Sequence, residues 1–126
     1  MAGSAKKNVC SVNYRTRFVT CVCGVVYNIP LTCGKVYIGQ TGAGLNERLR
    51  QHSNTLKGTP RSHLSSHCRS CGCKPLFDRT HVIFRHMNQR SREIIEAFRI
   101  KKNHDTCISA PFIYLHDCEI SLLEKT

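Results

Sequence analysis

The chain has few acidic residues and no long apolar run. Only 8 of its 126 residues are Asp or Glu, against 19 Lys and Arg, which gives a formal net charge of +11. Such a surplus favours a polyanionic partner, because Lys and Arg neutralise phosphates and release their counterions. No apolar run is long enough to span a bilayer, and no basic helix with a broad apolar face is evident. We therefore expect nucleic acid as the partner, with no membrane and no small-molecule substrate.

The N-terminus also lacks the apolar core of a secretory signal peptide, since Met1 to Lys7 lead into polar residues. Nine cysteines would suggest a disulfide framework in a secreted chain. Their odd number and the seven accompanying histidines instead favour metal binding in a reducing compartment. Cys10, Cys107 and Cys118 stand alone and are expected to be buried thiols. An intracellular, nuclear location follows from these features if the partner is DNA.

The length leaves room for one domain with one active site. Residues 1–20 hold several cations and show no periodicity, which predicts a flexible basic leader. Residues 21–126 form the predicted domain.

Residues 24–41 carry the clearest pattern in the chain, a β-hairpin with two tyrosines. Runs of Val, Ile and Tyr favour extended chain, and the Pro30 to Gly34 segment between them supplies the turn. If Tyr27 lies opposite Tyr37, five residues remain for the loop. The two phenols would then share a face, where they either pack on a core or serve a rigid functional site.

A helix is predicted over residues 45–57, after the Gly42-Ala43-Gly44 segment ends the second strand. One stripe at helical spacing contains Leu45, Leu49, His52 and Leu56. Arg48 lies one turn before His52 on nearly the same face. From the pattern alone, Arg48 is a solvated cation and His52 is either a functional residue or a histidine at the edge of the core.

A third strand is predicted over residues 80–85, followed by a helix over 91–103 and a short closing helix over 119–124. Ser91 is the expected N-cap of the 91–103 helix. Its buried face is expected to hold Ile94, Ile95 and Phe98. Two carboxylates, Glu93 and Glu96, lie off that stripe, and periodicity does not choose between them.

Residues 63–73 contain five soft or borderline metal ligands, which are His63, His67, Cys68, Cys71 and Cys73. Thiolate and imidazole suit tetrahedral zinc, and the spacing from Cys68 to Cys71 matches a zinc knuckle. Chance clustering and redox-active thiols are the alternatives.

These segments together resemble a known family. Val25-Val26-Tyr27, then Tyr37-Ile38-Gly39 ten residues on, followed by a helix with Arg48 and His52, resembles the GIY-YIG nuclease pattern, with Val25 in place of its first glycine. Residues 29–42 more narrowly resemble the C-terminal endonuclease domain of Penelope-like retroelement proteins, and the likeness extends to about residue 123. The resemblance implies an α+β fold, with a small mixed or antiparallel three-stranded sheet flanked by helices.

The resemblance also implies a set of catalytic roles. Glu96, which precedes Ile100-Lys101-Lys102 at the family's spacing, would hold one divalent cation, Mg²⁺ or Mn²⁺. Tyr27 would act as general base or align the water, and Tyr37 would orient the phosphate or the water. Arg48 would stabilise developing negative charge, with His52 assisting. A base role for Tyr27 requires a pKa below the usual value of about 10.

A structural zinc site is implied in the same way, with ligands Cys33, His67 and Cys73. Cys71 is the expected fourth ligand, and the alternatives are Cys68, Cys21, Cys23 and His63. Four protein ligands would leave no open position for substrate. Such a site would tie the hairpin loop to the segment after the first helix. One departure concerns Ser109, which falls where many relatives place an active-site asparagine.

The function predicted from these features is a metal-dependent DNA endonuclease, nicking in type and derived from a retroelement. One alternative is a catalytically decayed, zinc-stabilised nucleic-acid-binding module. Another is a zinc-dependent protein-interaction module of the RING or ribbon sort, whose ligand pairs are usually more numerous and more regularly spaced.

Overall fold

The structure is a computed structural model that describes residues 17–59, 62–111, 113 and 115–124. These residues form an α+β fold of three strands and four α-helices, which confirms the predicted fold class. The elements in chain order are β1 (Cys23–Pro30), β2 (Val36–Gly44), α1 (Leu45–Thr55), α2 (His63–Cys71), a 3-10 helix (Phe77–Arg79), β3 (His81–Arg85), α3 (Gln89–Lys102) and α4 (Asp117–Glu124). Among the described helices, none has the length and apolarity needed to cross a bilayer.

The sheet is antiparallel, with β1 between the two edge strands β2 and β3. The predicted hairpin register is wrong by two residues. Tyr27 lies opposite Gly39, and Tyr37 lies opposite Ile29. The loop starts one residue later than predicted, because the last pair is Pro30 with Val36. An even shift preserves the alternation of faces, so both tyrosines still lie on one face, as a diagonal pair.

The prediction that Gly42-Ala43-Gly44 ends the second strand is also wrong. Strand β2 continues to Gly44, which pairs with Cys23 after an irregularity in the ladder between Cys23 and Val25. The amide of Leu45 then donates to the carbonyl of Val22 at 2.8 Å. This bond holds the start of α1 against the segment that enters β1, which places α1 close to the hairpin.

Helix α3 differs from its predicted form in its start and in its buried face. It begins at Gln89, and the N-cap is Asn88, whose side chain accepts a hydrogen bond from the amide of Ser91. The buried residues of α3 are Arg92, Glu93, Glu96, Ala97 and Ile100, whereas the predicted Ile94, Ile95 and Phe98 are only half-buried. Polar groups occupy the buried face because they line or brace the cleft described below.

Two apolar clusters cover the opposite faces of the sheet. The larger one contains the side chains of β1 that share the face of Tyr27, together with residues of α1 and α2, including Leu45, Leu49 and Leu64. The smaller one joins Val26, Ile38 and Ile100. Since alternate residues of a strand point to opposite faces, β2 has α1 on one side and α3 on the other. As an edge strand, β2 allows side chains from both helices to reach one cleft.

The predicted leader falls mostly outside the described residues, which begin at residue 17. Within its last residues, the amides of Phe18 and Val19 donate to the side-chain oxygen of Asn46 at 2.8 and 3.2 Å. The rings of Phe18 and Phe77 also pack with their centroids 5.2 Å apart. This end of the predicted leader is therefore attached to the domain.

Candidate functional site

Tyr27 is fully buried, and its hydroxyl interacts with His52 and Arg48. Its hydroxyl lies 2.8 Å from Nε2 of His52 on α1. Burial, reinforced by the nearby Arg48, lowers the pKa of His52 to about 3, so the imidazole is neutral, and in the tautomer with its proton on Nδ1 it accepts the hydrogen bond at Nε2. Burial also raises the pKa of Tyr27 above its usual value. The depressed tyrosine pKa that a base role requires is therefore not a property of the metal-free site.

Gly39 is the reason the Tyr27 phenol can occupy this position. A Cβ atom at residue 39 would lie 2.6 Å from the Tyr27 hydroxyl and 3.1 Å from Cε2 of Tyr37. The distance to the Tyr27 hydroxyl is shorter than Cβ atoms adopt, the distance to Tyr37 is tight, and the buried phenol of Tyr27 is held by His52. The glycine thus leaves room for the rings of Tyr27 and Tyr37 to pack against β2 at this position.

Gly39→Ala is expected to destabilise the fold by about 2 kcal/mol, because one of two packed rings must move. Urea unfolding of both proteins would measure the difference. Gly58→Ala is the matched control, since a Cβ there meets nothing within 4 Å. Equal unfolding midpoints for Gly39→Ala and the native chain would show that the phenol does not depend on this space.

Tyr37 and Arg48 lie beside this pair. The Tyr37 ring approaches the His52 ring edge-on, with centroids 5.1 Å apart. Burial raises the pKa of Tyr37, and the positive charge of Arg48 partly opposes that rise. The Arg48 guanidinium donates to the side-chain oxygen of Gln51 at 2.9 Å and is half-buried. The site therefore combines two protonated phenols, a neutral imidazole and one cation.

Glu96 of α3 contributes a buried carboxylate to the same site. Only 9% of the residue is exposed, and its Oε1 has no hydrogen-bond partner among the described residues. Burial and the charge of Glu93 raise the pKa of Glu96 to about 7, while Arg48 acts in the opposite direction. A buried carboxylate oxygen without a partner is costly unless a cation or proton occupies it. Its hard oxygen is the donor that Mg²⁺ and Mn²⁺ prefer.

These side chains surround one cleft of about 360 Å³, lined by Tyr27, Tyr37, Gly39, Gln40, Arg48, His63, Glu96, Ala110 and Pro111. His52 lies behind the two tyrosines and contacts both rings. The structure also distinguishes the two glutamates. Glu93 accepts hydrogen bonds from Gln89 at 2.9 Å and from Arg90 at 3.4 Å, whereas Glu96 lines the cleft.

A second group of side chains can hold a metal ion. The ligand atoms of Cys33, His67, Cys71 and Cys73 all lie within 4.8 Å of one another. We call these four residues the metal cluster. They come from the hairpin loop, from α2 and from the residue after its Gly72 C-cap. The cluster consists of the four ligands expected from the sequence and does not include Cys21, Cys23, Cys68 or His63, the proposed alternatives.

Within the metal cluster, the sulfur of Cys33 lies 3.5 Å from Nε2 of His67. This hydrogen bond is the main reason that the pKa of the Cys33 thiol falls to about 7. A thiol that ionises near neutral pH is a good ligand, because thiolate rather than thiol binds metal. Three sulfurs and one imidazole match the donor set of a four-coordinate zinc site.

Two polar residues that sequence reasoning missed brace the cleft. Arg92 is 4% exposed, and its guanidinium donates to the side chain of Gln40 at 2.9 Å and to the carbonyls of His86 and Met87. It thereby fixes α3 against β2, one turn before Glu96. Asn46 holds the segment before β1 against α1, because its side-chain amide donates a hydrogen bond to the carbonyl of Val19. Neither residue belongs to a motif that would have revealed it.

Comparison with models of known protein families, with curated proteins and with solved structures finds no match for this chain.

Proposed function

We propose that the protein is a divalent-metal-dependent DNA endonuclease of the GIY-YIG type, derived from a Penelope-like retroelement, that nicks DNA in the nucleus. The observation that carries the proposal is the buried, unpartnered carboxylate oxygen of Glu96 in one cleft with Tyr27, Tyr37 and Arg48. Phosphodiester hydrolysis needs a metal ligand, a group that holds the water and a cation for the phosphorus oxygens. The net charge of +11 supports a polyanionic substrate.

The residues of the cleft divide these tasks. Glu96 is the group that would hold Mg²⁺ or Mn²⁺, which supplies Lewis-acid stabilisation of the phosphate when bound. Arg48 offsets the charge that develops on the phosphorus oxygens. With the Nδ1 tautomer of His52, the Tyr27 hydroxyl donates a hydrogen bond to Nε2, and its oxygen keeps a lone pair beside the one that faces Arg48 to accept a hydrogen bond from the attacking water. Tyr37, on the same face, orients the phosphate. We therefore favour water alignment over proton abstraction for Tyr27.

For the metal cluster we propose a structural zinc ion. Its four protein ligands complete a tetrahedral set, so no position remains for substrate. The ion would connect the hairpin loop to α2, whose first residue, His63, lines the cleft.

A catalytically decayed, zinc-stabilised binding module is the second candidate. One observation favours it: the hydroxyl of Ser109, at the position of the family's asparagine, already accepts a hydrogen bond from the amide of Ile38 at 2.8 Å. That hydroxyl braces β2.

Cleavage of supercoiled plasmid at low salt, with Mg²⁺ or Mn²⁺ and with EDTA as control, tests the proposal. Low salt is needed because ions compete with phosphate contacts. The nuclease is expected to convert supercoiled plasmid to the open circular form only when the cation is present. A folded native chain that binds plasmid but never nicks it would establish the decayed module instead.

Tyr27→Phe is expected to lower the nicking rate by about 100-fold, because it removes the oxygen that positions the water. It also breaks the bond to His52, at a cost of about 1 kcal/mol in stability. Plasmid binding, measured in parallel, is expected to stay near the native level. Native nicking by Tyr27→Phe would remove this residue from the mechanism.

A further inference from the structure

Cys68 places a fourth sulfur atom beside the three sulfurs of the metal cluster. It lies on α2, is 8% exposed, and packs with the apolar core. Its sulfur is 3.9 Å from the sulfur of Cys73, which belongs to the cluster. Buried cysteines are common as small apolar residues, but this one lies in contact with a metal ligand.

The backbone explains this proximity. Gly72 ends α2 in the left-handed conformation, with φ of 79°, and its amide donates to the carbonyl of Cys68 at 2.8 Å. The chain reverses there and returns Cys73 next to Cys68. A disulfide has an S–S length of about 2.05 Å, so the two sulfurs need to approach by only about 2 Å.

The two thiols also differ in access. Cys73 is half-buried, whereas Cys68 is buried. Of these two thiols, Cys73 is therefore the one that an oxidant from solvent reaches first, and Cys68 is positioned to resolve the product. This arrangement, an accessible thiol with a resolving cysteine in contact with it, is typical of redox-sensitive sites.

We propose that Cys68 and Cys73 are a redox modification site, at which a hydroperoxide forms a disulfide that empties the metal cluster. The inference rests on the proposed zinc site but not on nuclease activity. The sulfur of the Cys73 thiol attacks one peroxide oxygen, the O–O bond breaks, and the thiol proton passes to the leaving oxygen, so the products are a sulfenic acid and water or an alcohol. The Cys68 sulfur then attacks the sulfenic sulfur. The S–O bond breaks, and the hydroxide leaves as water with the Cys68 proton.

The balance is two electrons, lost by the two sulfurs and gained by the peroxide. The disulfide removes one of the four metal ligands. Cys33, His67 and Cys71 alone form an incomplete set, so the zinc ion dissociates. A dithiol reductant together with zinc is expected to restore the cluster.

The test treats the zinc-loaded full chain with near-stoichiometric hydrogen peroxide and follows zinc release with a chromogenic chelator. Trypsin cuts after Arg69, between the two cysteines, so the disulfide appears by mass spectrometry as two linked peptides. Fragmentation of the linked pair assigns Cys73 rather than Cys71. Zinc release and formation of the Cys68–Cys73 link are expected to proceed at the same rate.

Cys68→Ser leaves all four ligands in place and is expected to slow zinc release at least about fivefold, since it removes the thiol outside the metal cluster that lies 3.9 Å from the Cys73 sulfur. Its Cys73 is expected to progress to the sulfinic acid. Cys118→Ser, at an exposed cysteine of α4, is the control and is expected to behave like the native chain. If Cys68→Ser does not fold, Cys68→Val keeps the site apolar and replaces it.

Three results would overturn the proposal. They are zinc release from the native chain without the Cys68–Cys73 link, release at the native rate from a folded Cys68 variant, and a native chain that takes up no zinc. None of them depends on nicking, so the endonuclease proposal is tested separately.

Discussion

Replacing Glu96 with glutamine is expected to abolish cation-dependent nicking while making the metal-free protein more stable. Among the described residues that line the cleft, Glu96 carries the one carboxylate, so its loss removes the charged oxygen ligand for a divalent cation, and a fall of at least about 100-fold in nicking is expected. Burial of the charged Glu96 carboxylate also lowers the free energy of unfolding, and a neutral glutamine avoids this loss. Plasmid nicking and thermal unfolding, measured on the same samples in EDTA and in Mg²⁺, would record both effects.

The sign of the stability change follows from the Glu96 pKa, which rises from 4.5 to about 7 on folding. The folded state therefore binds a proton more tightly than the unfolded state, so stability declines as pH rises through this window. Glutamine resembles the neutral carboxyl at every pH. The gain is expected to be near zero at pH 4 and to reach about 3 kcal/mol at pH 8.

Glu93→Gln is the matched control, because Glu93 is on the same helix and equally buried. Its carboxylate is already bonded to Gln89 and Arg90, so we expect nicking within about fivefold of the native rate. Equal losses in the two variants would indicate that the charge of α3, not a metal ligand, supports activity. Native nicking by Glu96→Gln would refute the assignment of Glu96.

Removing the metal from the cluster is expected to lower the thermal midpoint by roughly 10 °C or more, since structural zinc contributes folding free energy directly. The chain is short, and the cluster connects segments 34 to 40 residues apart in sequence. Dialysis against a chelator and the Cys33→Ser variant are expected to give the same loss. Metal analysis of the native protein is expected to find one zinc per chain.

Cys107→Ser is the control for this prediction, because Cys107 lies outside the cluster. Its zinc content is expected to match the native value. The cluster would have no structural role if Cys33→Ser unfolded at the native temperature, or if the native chain held no zinc.

The sequence predicted the composition of the two sites better than the packing around them. The ligand-rich segment 63–73, which holds three residues of the metal cluster, was predictable from residue types alone, whereas Cys33 was implied only by resemblance to a family. The hairpin register was not predictable, because frames two residues apart place the same side chains on the same face. The pairing of Tyr27 with Gly39 depends on where the loop starts, and that is decided by local hydrogen bonds such as the one from the Leu31 amide to the Lys35 carbonyl.

The prediction of the buried face of α3 was wrong for a different reason. Apolar periodicity assumes that the buried side of a helix is apolar, but Arg92, Glu93 and Glu96 occupy that side. Functional clefts are exceptions to this assumption, because they need charged side chains at positions that the fold buries. The choice of Glu96 over Glu93 came only from resemblance to a family. The structure adds an independent distinction. Of the two glutamates, Glu96 is the one with a buried carboxylate oxygen that has no hydrogen-bond partner among the described residues.

Helix α2 carries residues of both the metal cluster and the cleft. His63, His67 and Cys71 follow one another at intervals of four residues, so they lie along one side of a helix about 13 Å long. Two of them belong to the metal cluster, and the third lines the cleft. We therefore expect a substitution in the metal cluster to shift α2 and, with it, the position of His63 in the wall of the cleft.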